Sequence, residues 1–457
     1  MQPPNCSTHT DCLTARDFLL SERAWTGKAR LPAVSLFSGA GLSDIGYELA
    51  GFQFVVQAEK DPRRASLCSA NFPEAASIVG QIGKTWREVA SVYRAKKPED
   101  RLALLSVTPP CQGLSSSNPS RGKVSDHTTS DGRNLLLLDA LDLIKELEPK
   151  LVVVENVPQV LHRMVKADGD EEPGKLVDIF QSALCSTYRV FSTVVQMANY
   201  GIPQDRRRAV LVAVHNGEPG LQLLARESSL PIPRPSHSQS SQGSSKSWVT
   251  LEKWLTAMRY PTLDAQSLGT ARDPSDQLHF VPHYGDDRYL MVADIPPRSG
   301  QNAYQNSLCH KCGHNDVPKN AANCPKCSSL MRNKPYMRDV AGHYRLIKGF
   351  DSSYRRMHPD RPAPTVTTAS SHLGSDYKIH PWENRVLSIR ECADLQTVPR
   401  FYHWEWVFDH HQTYLAREVI GEALPPMFTY LHGQILRALV AGNIDPGQLM
   451  YNPQSSS

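Results

Sequence analysis

Residues 34–41 read Val-Ser-Leu-Phe-Ser-Gly-Ala-Gly and run into an apolar, helix-like stretch from Leu42 to Leu49. The order predicts a buried strand, a tight turn and a helix. Gly39 and Gly41 let the chain turn sharply and bring backbone N–H groups close to a ligand, and a helix N-terminus favours an anionic group. The stretch therefore predicts the binding turn of a nucleoside-bearing cofactor, with a tight turn of no further function as the alternative.

Two acidic residues narrow the class of cofactor. Glu59 lies 20 residues after Gly39, at the end of the next predicted strand, where its carboxylate can accept hydrogen bonds from both ribose hydroxyls. Asp44 stands three places after Gly41, where the dinucleotide fingerprint has its third glycine. This difference argues against a nicotinamide cofactor.

Apolar runs alternate with amphipathic stretches through the first half of the chain. The runs predicted as strands are Ala33 to Phe37, Phe52 to Ala58, Leu102 to Val107, Leu151 to Val154, Val190 to Met197 and Ala209 to Val214. Helical stretches such as Leu135 to Leu147 separate them, which is typical of crossovers between parallel strands. We therefore expect the α/β class, with a doubly wound, mostly parallel sheet.

A thiol and a carboxyl group follow two of these strands. Cys111 belongs to the stretch Thr108 to Gly113, and Glu155 comes directly after four apolar residues. Because parallel sheets build their active sites at the carboxyl ends of strands, we expect the two side chains to lie close together. A thiolate can attack an electron-poor ring, and apolar surroundings raise the pKa of a carboxyl group. For an isolated cysteine, the alternative is a small buried residue.

Five motifs together resemble those of the DNA (cytosine-5) methyltransferases. In the order that this family keeps, they are Phe37-Ser38-Gly39-Ala40-Gly41, Pro110-Cys111-Gln112, Glu155-Asn156-Val157, Gln204-Asp205-Arg206-Arg207-Arg208 and Gly421-Glu422-Ala423-Leu424-Pro425-Pro426. Each is common alone, but the series extends from about residue 33 to about residue 440 and leaves out only the stretch from about 217 to 357. The resemblance implies a Rossmann-like methyltransferase fold.

The same resemblance implies S-adenosylmethionine as the cofactor. Its expected contacts are Phe37, Gly39, Ala40, Gly41, Glu59, Lys60, Gln81, Ile82, Pro110 and Glu422. Two of these depart from the family pattern: Gln81-Ile82 stands where an aspartate usually meets the adenine amino group, and Glu422 stands where asparagine is common. The resemblance therefore does not assign the contacts that these positions make with the adenine and the methionine.

The chemistry implied by the resemblance begins at the cysteine. Carbon 5 of cytosine is too weak a nucleophile to take a methyl group directly, so Cys111 is expected to add to carbon 6. Glu155 is expected to donate to ring nitrogen 3 as an acid. Arg206 and Arg208 would hold the cytosine carbonyl oxygen and order the catalytic loop, Leu114 to Arg133, although a solvated basic run is their alternative.

Composition divides the chain into five segments. We expect an N-terminal extension at 1–32, a catalytic cofactor-binding domain at 33–216, a linker with a target-recognition domain at 217–357, a return segment at 358–443 that completes the catalytic domain, and a flexible tail at 444–457. The linker is rich in serine and proline between Ser228 and Ser247. The inserted domain lies where the family keeps its target-recognition domain, and it carries basic and aromatic residues suited to nucleic acid.

Four cysteines of the insert have the spacing of a zinc ribbon. Cys309 and Cys312 form one Cys-x-x-Cys pair, and Cys324 and Cys327 form another 11 residues later, within 309–327. Two such pairs bring four thiolates to one tetrahedral ion, which leaves no open position and so predicts a structural role. Unpaired or redox-active cysteines are the alternative, and His310 or His314 could replace one ligand.

The length, cysteine content and net charge of the chain indicate the environment in which this activity is expected. The chain has 457 residues, 10 cysteines and a net charge of +4, which suits a soluble intracellular protein without a disulfide scaffold or a membrane span, placed in the cytoplasm or nucleoid if prokaryotic. We expect a monomer that acts on double-stranded DNA, with a cognate restriction endonuclease as an optional partner that shares the site but is not bound. A tRNA cytosine-5 methyltransferase and a non-catalytic nucleic-acid-binding regulator are the alternatives.

Overall fold

The computed structural model describes residues 14–21, 27, 29–110, 136–165, 173–240 and 245–451. Its strands are β1 Leu31–Leu36, β2 Phe52–Glu59, β3 Ala76–Val79, β4 Leu104–Val107, β5 Leu151–Asn156, β6 Met164–Val165, β7 Gly174–Lys175, β8 Tyr188–Gln196, β9 Gln204–Asp205, β10 Arg207–His215, β11 Ser229–Pro233, β12 His237–Ser238, β13 Lys246–Ser247, β14 Tyr336–Arg338, β15 Tyr344–Leu346, β16 Ala363–Pro364 and β17 Leu449–Tyr451. Its α-helices are α1 Ala15–Leu19, α2 Leu42–Leu49, α3 Pro62–Asn71, α4 Ile82–Lys96, α5 Leu141–Leu147, α6 Leu176–Leu184, α7 Leu221–Arg226, α8 Leu251–Met258, α9 Asp286–Ala293, α10 Ile389–Leu395, α11 Glu405–Asp409, α12 Thr413–Glu422 and α13 Pro426–Ala441.

The central sheet has seven strands in the order β3-β2-β1-β4-β5-β10-β8. The five strands from β3 to β5 are parallel, and β10 runs antiparallel to both of its neighbours. The predicted doubly wound, mostly parallel sheet is confirmed. Successive crossovers leave β1 in opposite directions along the sheet, so the order reverses between β1 and β4, and the crevice at their carboxyl ends is the expected place for a ligand.

Helices cover both faces of the sheet because its central strands are apolar on both sides. Helices α4, α5 and α6 pack on one face, around residues such as Val34, Leu105 and Val152. Helices α2, α3 and α13 pack on the other face, in the larger of the two cores. Since α13 comes from the end of the chain and α2 from its beginning, one core joins the two separated parts of the fold.

The contact between α2 and α13 is unusually close. A Cβ atom on Gly46 would lie 2.1 Å from the carbonyl oxygen of Pro426 and 2.5 Å from the backbone nitrogen of Tyr430. Thr429 donates from its hydroxyl to the Ser43 carbonyl over 2.7 Å. The return segment therefore meets α2 backbone to backbone, at the helix that starts at the glycine turn.

The middle of the chain has smaller cores of its own. One is formed by apolar residues of the stretch from Leu263 to Ala303 together with Leu373, Ile379 and Val386. A second, much smaller core contains Cys309 and Cys324. The antiparallel pair β14 and β15 follows these cysteines.

Two short strands differ from what composition predicts. Ser229–Pro233 is a buried strand, although it lies in the serine- and proline-rich stretch that predicts a loop or linker. Its partner is Leu449–Tyr451, which falls in the range expected to be a flexible tail. Leu230, Ile232 and Leu449 are buried in this pair, so a few apolar residues within a polar composition are enough to order both segments. In the part of the chain described above, no helix combines the length and apolar character needed to cross a bilayer.

Replacing Gly46 by alanine tests the close packing of α2 on α13. The added methyl group meets backbone atoms that cannot rotate away, so we expect the free energy of unfolding to fall by roughly 1–3 kcal/mol despite the better helix propensity of alanine. Chemical denaturation measures it. Gly285→Ala, where a Cβ meets nothing within 4 Å, is the control, and equal stability of the two variants would contradict the packing argument.

Candidate active site

The glycine turn leaves β1 in a conformation that few residues adopt. Phe37, Gly39 and Gly41 have φ angles of 57°, 56° and 73°. A Cβ atom on Gly41 would lie 2.5 Å from the Phe72 ring, whereas a Cβ on Gly39 would meet nothing within 4 Å. Gly41 is thus required by packing, and Gly39 presents open backbone to the crevice at the end of β1.

Glu59 lies beside this turn at the end of β2. Its Oε2 accepts from the Gly39 backbone N–H over 2.9 Å, and its Oε1 accepts from the Asp61 N–H over 2.8 Å. The two hydrogen bonds fix the orientation of the carboxylate, and each oxygen keeps a further lone pair for a ligand hydroxyl. The arrangement suits recognition of a ribose diol.

A cavity of about 1400 Å³ opens at the carboxyl ends of β1, β2, β4 and β5. Pockets for one small ligand usually span roughly 300–1,000 Å³, so this one has room for a cofactor and a second group. The sequence-predicted residues that line it are Phe37, Gly39, Ala40, Glu59, Lys60, Gln81, Ile82, Pro110, Glu155, Arg208 and Glu422. Gly41 and Arg206 are buried behind its wall.

Glu155 and Arg208 form an ion pair at the pocket wall. The Arg208 Nε lies 2.9 Å from the Glu155 Oε1, and both side chains are about nine-tenths buried. Burial raises the pKa of the Glu155 carboxyl above its ordinary value, although the neighbouring Arg208 and Arg206 act to lower it. A carboxyl in this position can hold a proton that it donates to a ligand in the pocket.

Asn156 connects this strand end to the loop that leads to the predicted nucleophile. Its Nδ2 donates to the Pro109 carbonyl over 3.1 Å, and its Oδ1 accepts from the Val157 N–H. Asn156 belongs to the motif Glu155-Asn156-Val157, and the motif alone indicates no role for it. Cys111 and the loop Leu114 to Arg133 lie outside the described residues, so the structure shows the approach to the thiol through Pro110 and no contact of the thiol itself.

Arg206 differs from its expected position. It is fully buried, and its Nη2 donates to the carbonyls of Gly421, Glu422 and Ala423, while Nη1 donates to the Val366 carbonyl. These groups belong to the return segment, so the guanidinium holds a turn of the backbone instead of facing the cavity. Arg206 lies between β9 and β10, whereas Arg208 lies within β10, so the two arginines have different surroundings although they are only two residues apart.

Gln204 also forms hydrogen bonds with the return segment. Its Oε1 accepts from the Val366 N–H, and its Nε2 donates to the Gln396 Oε1 over 2.7 Å. β9 also pairs with β16 next to it. The glutamine-arginine motif therefore connects the first part of the fold to the return segment.

Glu422 is bound by an arginine that lies outside the sequence motifs. Arg64, on α3, reaches both of its carboxylate oxygens: Nη2 lies 3.2 Å from Oε1, and Nη1 contacts Oε2. Both residues line the cavity. The signal available in the sequence was that Glu422 adds an unpaired charge to a motif that commonly has asparagine there.

Four cysteines of the insert come together outside this pocket. The sulfur atoms of Cys309, Cys312, Cys324 and Cys327 all lie within 4.8 Å of one another. Two of the Sγ separations, Cys309 to Cys327 and Cys312 to Cys324, are 3.7 Å. A Zn–S distance of about 2.3 Å places the sulfurs of a tetrahedron about 3.8 Å apart, so these residues fit a zinc ion. His310 contacts Asp294 instead, over 2.6 Å.

The fold and this pocket define an α/β enzyme that binds a nucleoside-bearing cofactor beside a buried acid. The family model of the C-5 cytosine-specific DNA methylases matches residues 31–436. The chain belongs to this family, whose cofactor is S-adenosylmethionine and whose substrate is DNA. The activity read from the motifs, DNA cytosine-5 methylation, is confirmed at the level of the family.

Individual relatives are distant but extend over most of the chain. Type II methyltransferase M1.HgaI of Avibacterium volantium is 24% identical over 412 residues, which is 88% of this chain and 96% of that protein. Type II methyltransferase M1.HphI of Haemophilus parahaemolyticus is 25% identical and covers 87% and 84%. A proposed DNA modification methyltransferase from an E. coli prophage has a TM-score of 0.51 at 19% identity, covering 90% of this chain and 99% of that structure. The last likeness shows the fold alone.

Arg206→Lys tests whether the buried guanidinium holds the return segment. A lysine ammonium cannot reach the four carbonyls that the two Nη atoms bind, and acceptors left unpaired in the interior are costly. We expect the free energy of unfolding to fall by roughly 2–4 kcal/mol. Urea denaturation measures it, with Arg207→Lys at the exposed neighbouring position as the control; similar values for both variants would refute the role.

Proposed function

We propose that the protein transfers a methyl group from S-adenosylmethionine to carbon 5 of cytosine within a specific sequence of duplex DNA. The observation that carries the proposal is the buried Glu155–Arg208 pair, which lines one cavity together with the glycine turn and the Pro109-Pro110 approach to Cys111. The cavity thus combines a cofactor turn, an acid and the entry to a nucleophile. Its size allows the cofactor and a cytosine extruded from the duplex to lie side by side.

In this proposal the Cys111 sulfur bonds to carbon 6 while Glu155 donates a hydrogen bond or proton to ring nitrogen 3. Carbon 5 would then take the methyl group that a bound S-adenosylmethionine would supply, and the electron pair of the broken S–C bond would stay on the cofactor's sulfur. Transfer of the carbon 5 proton to a water molecule would expel the Cys111 thiolate and restore the ring, and any proton taken up by nitrogen 3 would return to Glu155. S-adenosylmethionine supplies only the activated methyl group, and the turn at Gly39 together with Glu59 holds it in place.

The two arginines have separate roles in this proposal. Arg208 lines the cavity next to Glu155, where its remaining donors can hold the cytosine carbonyl oxygen. Arg206 is a positioning residue, because its donors bind the return segment. Asn156 positions the start of the catalytic loop through the Pro109 carbonyl.

The relatives support a modification role. Both relatives named above are type II methyltransferases, so we propose a prokaryotic-type modification enzyme, active as a monomer in the cytoplasm or nucleoid, with no endonuclease bound. We also propose the organisation given above for residues 1–443, in which 217–357 recognises the target sequence, whereas part of the range 444–457 is ordered as β17. A tRNA methyltransferase and a non-catalytic regulator are the competing functions that the assay below distinguishes.

We propose that Cys309, Cys312, Cys324 and Cys327 bind one structural zinc ion. The Sγ separations match the edge of a zinc tetrahedron, and four thiolates leave no position for a substrate. The core around them contains few other apolar residues, among them Val317 and Met331. Metal binding therefore takes the place of a hydrophobic core in this part of the insert.

Methyl transfer tests the catalytic residues. We expect wild-type protein to transfer labelled methyl groups to mixed-sequence duplex DNA, Cys111→Ala to transfer none, and Glu155→Gln to be slower by about 10²–10⁴-fold, because an amide cannot supply the proton. Since burial raises the pKa of Glu155, the rate should be lost as the pH rises through that pKa. Glu146→Gln, on the exposed face of α5, is the control.

The outcomes of this assay also separate the competing functions. Covalent trapping of duplex DNA that carries 5-fluorocytosine at the methylated position would support the cysteine adduct. Transfer to tRNA and not to DNA would favour a tRNA enzyme. DNA binding with no transfer to either nucleic acid, by wild type and Cys111→Ala alike, would favour the regulator.

Metal analysis tests the cysteine cluster. Purified protein should contain about one equivalent of zinc, and Cys312→Ser or Cys324→Ser should lose it and lower the melting temperature. Cys185→Ser removes an exposed free thiol elsewhere and should change neither value. Zinc content below about half an equivalent in protein prepared without chelators would reject the site.

A further inference from the structure

Glu422 ends α12 at the cavity wall, and its carboxylate is paired with an arginine from the first part of the chain. Arg64 contacts both carboxylate oxygens of Glu422 from α3, as a fork. Its Nη2 lies 3.5 Å from Glu418 and its Nε lies 3.8 Å from Asp61. The pair joins the beginning of the chain to the return segment across the wall of the cofactor pocket, since both residues line the cavity.

The backbone of the same turn is fixed independently. Arg206 donates to the carbonyls of Gly421, Glu422 and Ala423. A Cβ on Gly421 would lie 2.3 Å from the backbone of Thr367 and Thr368, which shows how closely the turn is packed. With its backbone and its carboxylate both held, Glu422 presents a carboxylate of defined orientation to the cavity.

The turn also meets the N-terminus of α2. The Leu424 N–H donates to the Ser43 Oγ over 2.9 Å, so Glu422 stands two residues from a contact with the first helical turn. Peptide N–H groups at that helix end favour the carboxylate of the cofactor's amino-acid portion. The ammonium group is attached to the same carbon atom as that carboxylate. An anion on the adjacent wall is therefore placed to meet the ammonium.

We propose that Glu422 accepts a hydrogen bond from the α-ammonium group of the cofactor, and that Arg64 is the positioning residue that keeps its carboxylate oriented and ionised. The inference rests on the proposed function, because it assigns a contact to the cofactor of that site. Glu59, which accepts from the Gly39 N–H, is assigned to the ribose in the proposed function, so the two carboxylates recognise different groups of one ligand.

Binding of two ligands to the full chain tests Glu422. S-adenosylhomocysteine has the α-amino group, and its analogue without that group lacks only this contact. We expect Glu422→Gln to weaken binding of S-adenosylhomocysteine by roughly 10- to 100-fold, the usual range for a hydrogen bond between charged groups, and to leave binding of the analogue unchanged. Isothermal titration calorimetry measures both affinities.

Glu418→Gln is the matched control for this experiment. Glu418 lies one turn earlier on α12 and also faces Arg64, but it does not line the cavity, so its variant should bind S-adenosylhomocysteine within about twofold of wild type. Equal affinity of Glu422→Gln and wild type for S-adenosylhomocysteine would overturn the inference, and so would an equal loss for both ligands. Wild-type protein that binds neither ligand would instead refute the proposed function.

The pH dependence of binding tests Arg64. Burial raises the pKa of Glu422, and the neighbouring carboxylates of Glu418 and Glu59 raise it further. Arg64 lowers it. Because only the ionised carboxylate accepts from an ammonium, affinity is lost as the pH falls through this pKa. In Arg64→Gln the loss should begin at a higher pH than in wild type, and Arg64→Lys should restore part of the difference. An unchanged pH profile in Arg64→Gln would show that the arginine has only a structural role.

Discussion

The hydrogen bonds of Arg206 are the interaction on which the rest of this structure depends. A fully buried guanidinium loses its hydration, and that loss is tolerated only where protein acceptors replace the water. The acceptors here are backbone carbonyls from Val366 and from the turn at 421–423. One side chain thereby fixes the position of a chain segment more than 200 residues away in sequence, and that segment forms one wall of the cofactor cavity.

The cavity brings together two kinds of electrostatic environment. Around Glu155 a single carboxyl is buried against one close arginine, and its raised pKa suits proton donation. Around Glu59 and Glu422 the carboxylates are oriented by backbone N–H groups or by Arg64, which suits recognition of hydroxyl and ammonium groups. The division follows from local partners, since all three groups end at the same edge of the fold.

Much of the framework could be predicted from local sequence. The apolar runs gave the strands β1, β2, β4, β5, β8 and β10 to within a few residues, and the stretch Leu42 to Leu49 is a helix with those bounds. β3 was not predicted, because it is a four-residue edge strand with one buried position. β11 and β17 were missed because their pairing is between residues far apart in the chain, which composition does not reveal.

The site residues also fall into those that local sequence predicts and those that only the folded chain reveals. Glu59 and Glu155 were placed correctly at strand ends because a strand end is a local feature. Arg206 and Arg208 could not be told apart, since only the folded chain shows that one faces the return segment and the other faces Glu155. The partner of Glu422 lies 358 residues away, so neither motif nor spacing indicates Arg64.

The insert that interrupts the catalytic domain also affects the order in which the fold is completed during synthesis. Helix α13 and the turn at 421–423 are synthesised after the insert, yet they cover α2 and close the cofactor pocket. While the ribosome is still translating the insert, the apolar face of α2 has no partner and the pocket has no far wall. A nascent chain therefore completes the cofactor pocket only after the turn at 421–423 and α13 have been synthesised.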